Sequence, residues 1–313
     1  GGNHCPRGPR HLRRAYKKGL MLPEKPSKNM TIREIIRRTT QRLEAAGIDS
    51  ARLDAEVLLS FFLNCDRTQL FKNYEEQMTR DQLGAFDKLI VRRLSFEPVA
   101  YITGRKEFWS FTLEVNRDVL IPRPDTEIIV EEAIGVCRSA GCSRPQILDI
   151  GTGSGAIALA LAREIPDARV TATDVSAAAL EVAKSNARTF GLEDRVSFIL
   201  GDLFENVSGT FDLITSNPPY IGAAEYDTLA SGVKDFEPRL ALWAGETGLE
   251  FYEKLIYQAH GRLREKGWLL LEIGAKQHEM IHSLMMVHND SYRDIAVRAD
   301  YAGLPRVIRG RRE

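Results

Sequence analysis

The sequence predicts an α/β fold. It is a doubly wound, mostly parallel seven-stranded sheet, preceded by a small N-terminal helical bundle and a β-hairpin linker. Three observations carry this. From residue 146 onward, short apolar runs alternate with segments of helical periodicity, the pattern of a parallel sheet covered on both faces. The first run, Gln146-Ile147-Leu148-Asp149-Ile150, passes directly into Gly151-Thr152-Gly153-Ser154-Gly155, a strand-to-helix turn that makes the sheet Rossmann-like. Residues 31–95 show helical spacing instead.

The chain has 313 residues, enough for two domains, and 43% of them are hydrophobic, so a sizeable core can be buried. The 43 basic and 43 acidic side chains cancel, but unevenly. Residues 1–28 hold eight basic residues and one acid, Glu24, which leaves the remainder at a formal −7. A mildly acidic body argues against sequence-independent nucleic-acid binding as the main activity. No apolar run reaches membrane-spanning length. Cys5, Cys65, Cys137 and Cys142 have neither metal-ligand nor disulfide-framework spacing, which points to reduced thiols.

Residues 1–29 are too rich in glycine and proline for a helix, and we expect a disordered extension. Met30 opens the first periodic segment. Residues 30–96 form the helical domain. Thr31 can cap a helix carrying Ile32, Ile35, Ile36 and Leu43, stopped by Gly47. Asp49 can cap a second helix with Leu53, Val57, Leu58 and Phe62. Leu83, Phe86, Ile90 and Leu94 mark another. Residues 97–124 read as the hairpin linker: Phe108 to Val115 is strand-like, and Gly104 marks a turn. In Leu120-Ile121-Pro122-Arg123-Pro124-Asp125-Thr126-Glu127 two prolines fix a loop, and Asp125 or Thr126 can cap the following helix. Residues 125–313 form the α/β domain. Its strands fall at 147–150, 169–173, 196–200, 211–215, 267–273, 292–297 and 305–309. Helices fall near 155–164, 176–190, 248–265 and 276–287.

The chemistry concentrates at the ends of these strands. Glycines in the first turn let a ligand approach the main chain. Asp174 ends the second strand and can accept two hydrogen bonds from ribose hydroxyls. Asp202 ends the third, where an adenine would sit. An adenosine-containing ligand follows. Gly151, Gly153 and Ala156 also satisfy a dinucleotide fingerprint. Asp149 favours a cationic sulfonium cofactor instead, because an acid there helps hold a positive amino acid moiety. After the fourth strand, Ser216-Asn217-Pro218-Pro219-Tyr220 forms a stiff loop. The Asn217 side-chain oxygen and the Pro218 carbonyl can accept from a planar NH2 group, and Tyr220 can stack on its face. A plain proline-rich turn is the bland alternative. His278-Glu279-Met280-Ile281-His282 fits a zinc-hydrolase pattern, but His288 is no strong third ligand, and we expect no metal.

Together with Glu97-Pro98-Val99-Ala100-Tyr101-Ile102-Thr103-Gly104, Glu107-Phe108 and the Leu120–Glu127 motif, these residues resemble the HemK/PrmC family of class I S-adenosylmethionine-dependent methyltransferases. The resemblance spans about residues 30–310, and no motif position departs from it. It implies a protein-glutamine N5-methyltransferase whose helical domain grips the substrate. The substrate it implies is the glutamine of a Gly-Gly-Gln loop in class 1 peptide chain release factors, with S-adenosyl-L-homocysteine as by-product. Carried over position by position, Gly151, Thr152, Gly153, Ser154, Gly155, Asp174, Leu203 and Asn217 contact the cofactor. Asn217, Pro218, Pro219 and Tyr220 hold the glutamine amide. We expect a monomer in the bacterial cytoplasm, or in an organelle matrix if residues 1–29 are a transit remnant, with neither membrane nor nucleic acid as partner. An adenine-N6 nucleic-acid methyltransferase poses the same chemical problem and stays open as the alternative, as does a non-catalytic cofactor-binding scaffold.

Overall fold

The structure, a computed structural model, describes residues 29–141, 143–287 and 291–313. The extension expected upstream of Met30 lies, except for Asn29, outside the described residues, as do Cys5, Cys142 and His288. The chain divides into two compact units, one ending at Gly104 and the other running from Arg105 to Glu313.

The first unit is helical. Helix α1 (Ile32–Ala45) starts where Thr31 and Glu34 cap each other reciprocally. Helix α2 (Ala51–Leu63) starts at Ser50 with no side-chain cap, so Asp49 does not play the expected part. Its buried face is Ala51, Ala55, Leu58 and Leu59, and Leu53 points to solvent. Periodicity misses α3 (Arg67–Lys72), which is too short to show a stripe. Helix α4 (Arg80–Leu94) buries the four expected residues. Helix α5 (Val99–Thr103) is a further surprise, ended by Gly104 at φ +73°. Leu43, Leu58, Leu59, Leu70 and Ile90 fill a core of this unit's own.

The second unit opens with the hairpin. Strand β1 (Arg105–Phe108) pairs with β2 (Phe111–Glu114), and Phe108 faces Phe111 across a turn at Trp109-Ser110. Gly104 marks the turn just before the hairpin, and the apolar run is not one strand. Trp109 adopts φ +54°, which is rare for an aromatic residue. It is held there by tertiary bonds: its N–H donates to Glu127 (2.7 Å) and its indole N–H to Glu164 (2.9 Å).

Helix α6 (Glu127–Ala140) follows. Neither expected residue caps it. Thr126 makes no capping bond, and Asp125 pairs with Arg306 at 3.1 Å.

Seven strands form the main sheet. They are β3 (Gln146–Ile150), β4 (Arg169–Asp174), β5 (Val196–Leu200), β6 (Phe211–Ser216), β7 (Leu263–Glu272), β8 (Tyr292–Ala299) and β9 (Pro305–Arg312). Their order is β8-β9-β7-β6-β3-β4-β5, and β9, between β8 and β7, alone runs antiparallel to the other six. Side-chain alternation splits each central strand between two cores. Ile147, Leu213 and Leu270 face α6 and α7 (Ala156–Glu164), while Leu148, Ile214, Leu269 and Leu271 face α9 (Glu250–His260) and α10 (His278–Val287). Helix α8 (Ala177–Thr189) lies between β4 and β5 in the chain. The expected helix 248–265 is too long. Strand β7 already begins at Leu263 and carries a register shift before Trp268, with Lys266 at φ +62°. Among the described residues no helix is long and apolar enough to cross a membrane.

Candidate functional site

At the C-terminal ends of the parallel strands lies a cavity of about 320 Å³, the place where open α/β sheets bind ligands. The β3–α7 turn contributes Gly151, Thr152, Gly153 and Ser154, and β4 contributes Asp174. The turn after β5 contributes Asp202 and Leu203, and the loop after β6 contributes Asn217, Pro218 and Pro219. Each loop reaches the wall because its strand ends there.

Asp174 is tied to the glycine turn. Its Oδ2 accepts the Gly153 N–H and its Oδ1 the Ser176 N–H, both at 2.9 Å. Burial pushes its carboxyl up, and those backbone donors pull it back. Spare lone pairs on both oxygens remain for hydroxyl donors. Gly151 and Gly153 take φ of +70° and +56°, conformations a side chain would strain.

Three residues marked in the sequence do not reach the wall. Asp149 lies beneath the glycine turn at 1% exposure. Its Oδ1 accepts the Thr215 hydroxyl (2.9 Å), and its Oδ2 has no partner among the described residues. Burial pushes this carboxyl up to about 7. Gly155 serves packing: at φ +85°, a Cβ there would sit 3.2 Å from Leu159 and 3.3 Å from Ala183. Tyr220 is half-buried, and its ring borders the space a Gly274 side chain would need. Its carbonyl accepts the Gln277 Nε2 (3.0 Å), which also donates to the Gly248 carbonyl (3.2 Å). Gln277 thereby pins the end of the proline loop.

The amide of Asn217 has a defined orientation. Its Nδ2 donates to the Thr126 hydroxyl oxygen at 3.3 Å, which leaves Oδ1 as the end available to the cavity. The Leu120–Glu127 motif also builds the cavity's rim. The Ile121 N–H (3.2 Å) and the Arg123 guanidinium (2.5 Å) both donate to the buried Glu237 carboxylate. That ties Pro122 and Arg123 to Pro238 and Leu240, all of which line the cavity. On the other side, Asn186 donates to the Ser154 carbonyl (2.9 Å) and to the Glu114 carbonyl (3.0 Å), which fixes the glycine turn to the hairpin.

Sequence reasoning missed Thr126 as a site residue, and also Asn186, Glu237 and Gln277. Thr126 lay inside a motif already noted. The others have no local signal, since Glu237 meets Arg123 across 114 residues. His278 and His282 sit on α10, and among the described residues no group of three or more His, Cys, Asp or Glu is placed to hold a metal ion.

Sheet and cavity together define a Rossmann-like methyltransferase. The hMettl16 catalytic domain, solved in complex with a MAT2A 3'UTR hairpin, covers 71% of this chain and 81% of its own at a TM-score of 0.53. At 17% identity that likeness concerns the fold alone. Residues 34–104 match the family model for the PrmC N-terminal domain, and residues 138–232 match that for the methyltransferase small domain. The chain is 41% identical to the release factor glutamine methyltransferase of Koribacter versatilis, over 90% of this chain and 99% of that one. It is 43% identical to the enzyme of the same name from Moorella thermoacetica, over 88% and 97%. The chain belongs to the release factor glutamine methyltransferase family. The names of these relatives specify protein glutamine and not adenine.

Proposed function

We propose that this chain transfers a methyl group from S-adenosylmethionine to the side-chain amide nitrogen of the glutamine in a Gly-Gly-Gln loop of a class 1 release factor. The observation that carries this is the Asn217 amide, fixed by Thr126 with its oxygen toward a cavity of cofactor-binding type. Family membership at 41% identity over nearly the whole chain supports the same reading.

The residues present suit the cofactor. Asp174 offers acceptor lone pairs for a ribose, and the glycine turn admits close main-chain approach. The unpartnered buried Oδ2 of Asp149 suits a cationic ligand. Gly151–Ser154, Asp174, Asp202 and Leu203 would hold it, with Asp149 acting from beneath. When bound, the cofactor supplies an electrophilic methyl group already activated by its sulfonium.

An amide nitrogen is a weak nucleophile, because its lone pair is delocalised into the carbonyl. Asn217 Oδ1 and the Pro218 carbonyl each accept one of its hydrogens and hold the lone pair toward the methyl carbon. The same two acceptors stabilise positive charge developing on nitrogen. Tyr220, set back from the cavity wall and pinned through Gln277, anchors the end of the loop that carries both acceptors. Such positioning can supply several kcal/mol, up to ~7–11 in the best-oriented systems. The proton leaves after transfer, when the nitrogen has become acidic. The helical unit up to Gly104 grips the release factor. The bacterial cytoplasm is the setting, a reading supported by bacterial relatives and by the free thiol of Cys65.

The test is incubation of the chain with a purified release factor and methyl-labelled cofactor, followed by mass spectrometry of the Gly-Gly-Gln peptide. The expected result is one added methyl on the glutamine side chain. An unmodified peptide, or label on a nucleic acid instead, refutes the proposal.

A further inference from the structure

Leu203 breaks a backbone rule in the wall of the cavity. Its φ is +52°, in the left-handed region that leucine seldom enters, and it lines the cavity beside Asp202. A strained residue of this kind persists only where its surroundings over-determine it. The turn it occupies is closed on itself. The Asp202 N–H donates to the Glu205 carboxylate at 3.1 Å, and at Gly201 a Cβ would lie 2.6 Å from the Glu205 carbonyl oxygen. The Gly201 N–H donates to the Asp174 carbonyl at 3.1 Å, which holds the start of the turn to β4. Leu203 itself is held by a side chain: the Thr173 hydroxyl donates to its carbonyl at 3.3 Å.

Thr173 is fully buried and stands in β4 between Ile150 of β3 and Ile199 of β5. Its carbonyl accepts the Gly151 and Thr152 N–H groups, both at 2.9 Å. One residue therefore ties down two loops, the glycine turn through its main chain and the Leu203 turn through its side chain. The next residue is Asp174. Any side chain allows the main-chain bonds. The bond to Leu203 needs a hydroxyl, since a valine of the same shape has no proton to give. We infer that Thr173 is a positioning residue for the cofactor, whose hydroxyl locks Leu203 and Asp202 in register with the glycine turn and Asp174. The inference rests on the reading that this cavity takes S-adenosylmethionine.

With the hydroxyl in place, the wall at Leu203 already has its receiving conformation in the ligand-free chain. Without it, Leu203 is released to leave the left-handed region, and binding must bring it back. Affinity then falls by the fraction of chains that hold the competent conformation. The loss belongs to cofactor binding and not to methyl transfer. Leu203 follows β5 and Asn217 follows β6, and β3 and β4 lie between those two strands in the sheet.

The test uses the full chain, with calorimetric titration of S-adenosylhomocysteine as the unreactive probe. Thr173→Val keeps the shape and removes the hydroxyl. It should weaken binding about 3- to 10-fold, the effect of one lost hydrogen bond, and Thr173→Ser should restore it. With a purified release factor, the loss should appear in the KM for S-adenosylmethionine and not in kcat. A third readout needs no ligand. The backbone amide signals of Asp202 and Leu203 in a nitrogen–proton correlation spectrum should move in Thr173→Val and stay near the parental positions in Thr173→Ser. Parental affinity in Thr173→Val while Asp174→Ala loses binding overturns the inference and leaves the cofactor reading standing. Parental affinity in both variants overturns both. A loss that Thr173→Ser shares in full marks packing rather than the hydrogen bond, and also overturns the inference.

Discussion

A carboxylate beneath a glycine turn carries its charge at a cost unless something positive lies above it. Asp149 is in that position, with one oxygen bonded to Thr215 and the other without a partner among the described residues. Its native value of about 7 exceeds the unfolded value of about 3.8, so between those limits only the folded chain binds the proton. Stability from this group is full below the unfolded value and is lost as pH rises toward 7. In the ligand-free chain at pH 8 the deficit is about 4 kcal/mol. Asp149→Asn should therefore raise the ligand-free unfolding temperature at pH 8 and match the parent near pH 4. It should also weaken binding of the cationic cofactor. Thermal unfolding across that range checks the first expectation and calorimetry the second. A variant no more stable than the parent at pH 8 contradicts this account of Asp149.

The elements that place the site were legible wherever a local rule decided them. Strands β3, β4 and β6 are apolar runs ending in a glycine turn, an acid and an Asn-Pro pair, and each end reaches the cavity. The reading failed where tertiary bonds overrode local preference. Trp109 turns the hairpin because Glu127 and Glu164 hold it, although the run around it has high strand propensity. Strand β7 starts in a charged stretch, because a bulge lets Glu265 and Lys266 stay exposed. Thr126 reads as a helix cap, and its hydroxyl oxygen instead accepts from Asn217. At the glycine turn, substitution separates packing from ligand contact. Gly155→Ala meets both a positive φ and the Leu159 and Ala183 side chains, so it should destabilise the fold by at least about 1–2 kcal/mol. Denaturant unfolding measures this, and an unchanged midpoint contradicts it.

Across the whole molecule, the two units have separate cores. Every residue lining the cavity belongs to the second unit. A chain beginning at Arg105 should accordingly keep cofactor binding and lose most methylation of an intact release factor. Calorimetry and the peptide assay check the two halves of that statement, and full activity in the truncated chain contradicts the role given to the helical unit. The central claim concerns how a weakly nucleophilic amide is aimed. Its most direct measurement is single-turnover methylation of the release factor by Asn217→Ala at saturating cofactor. The account predicts cofactor affinity close to the parent's and loss of most of the methyl-transfer rate. A parental rate would contradict it.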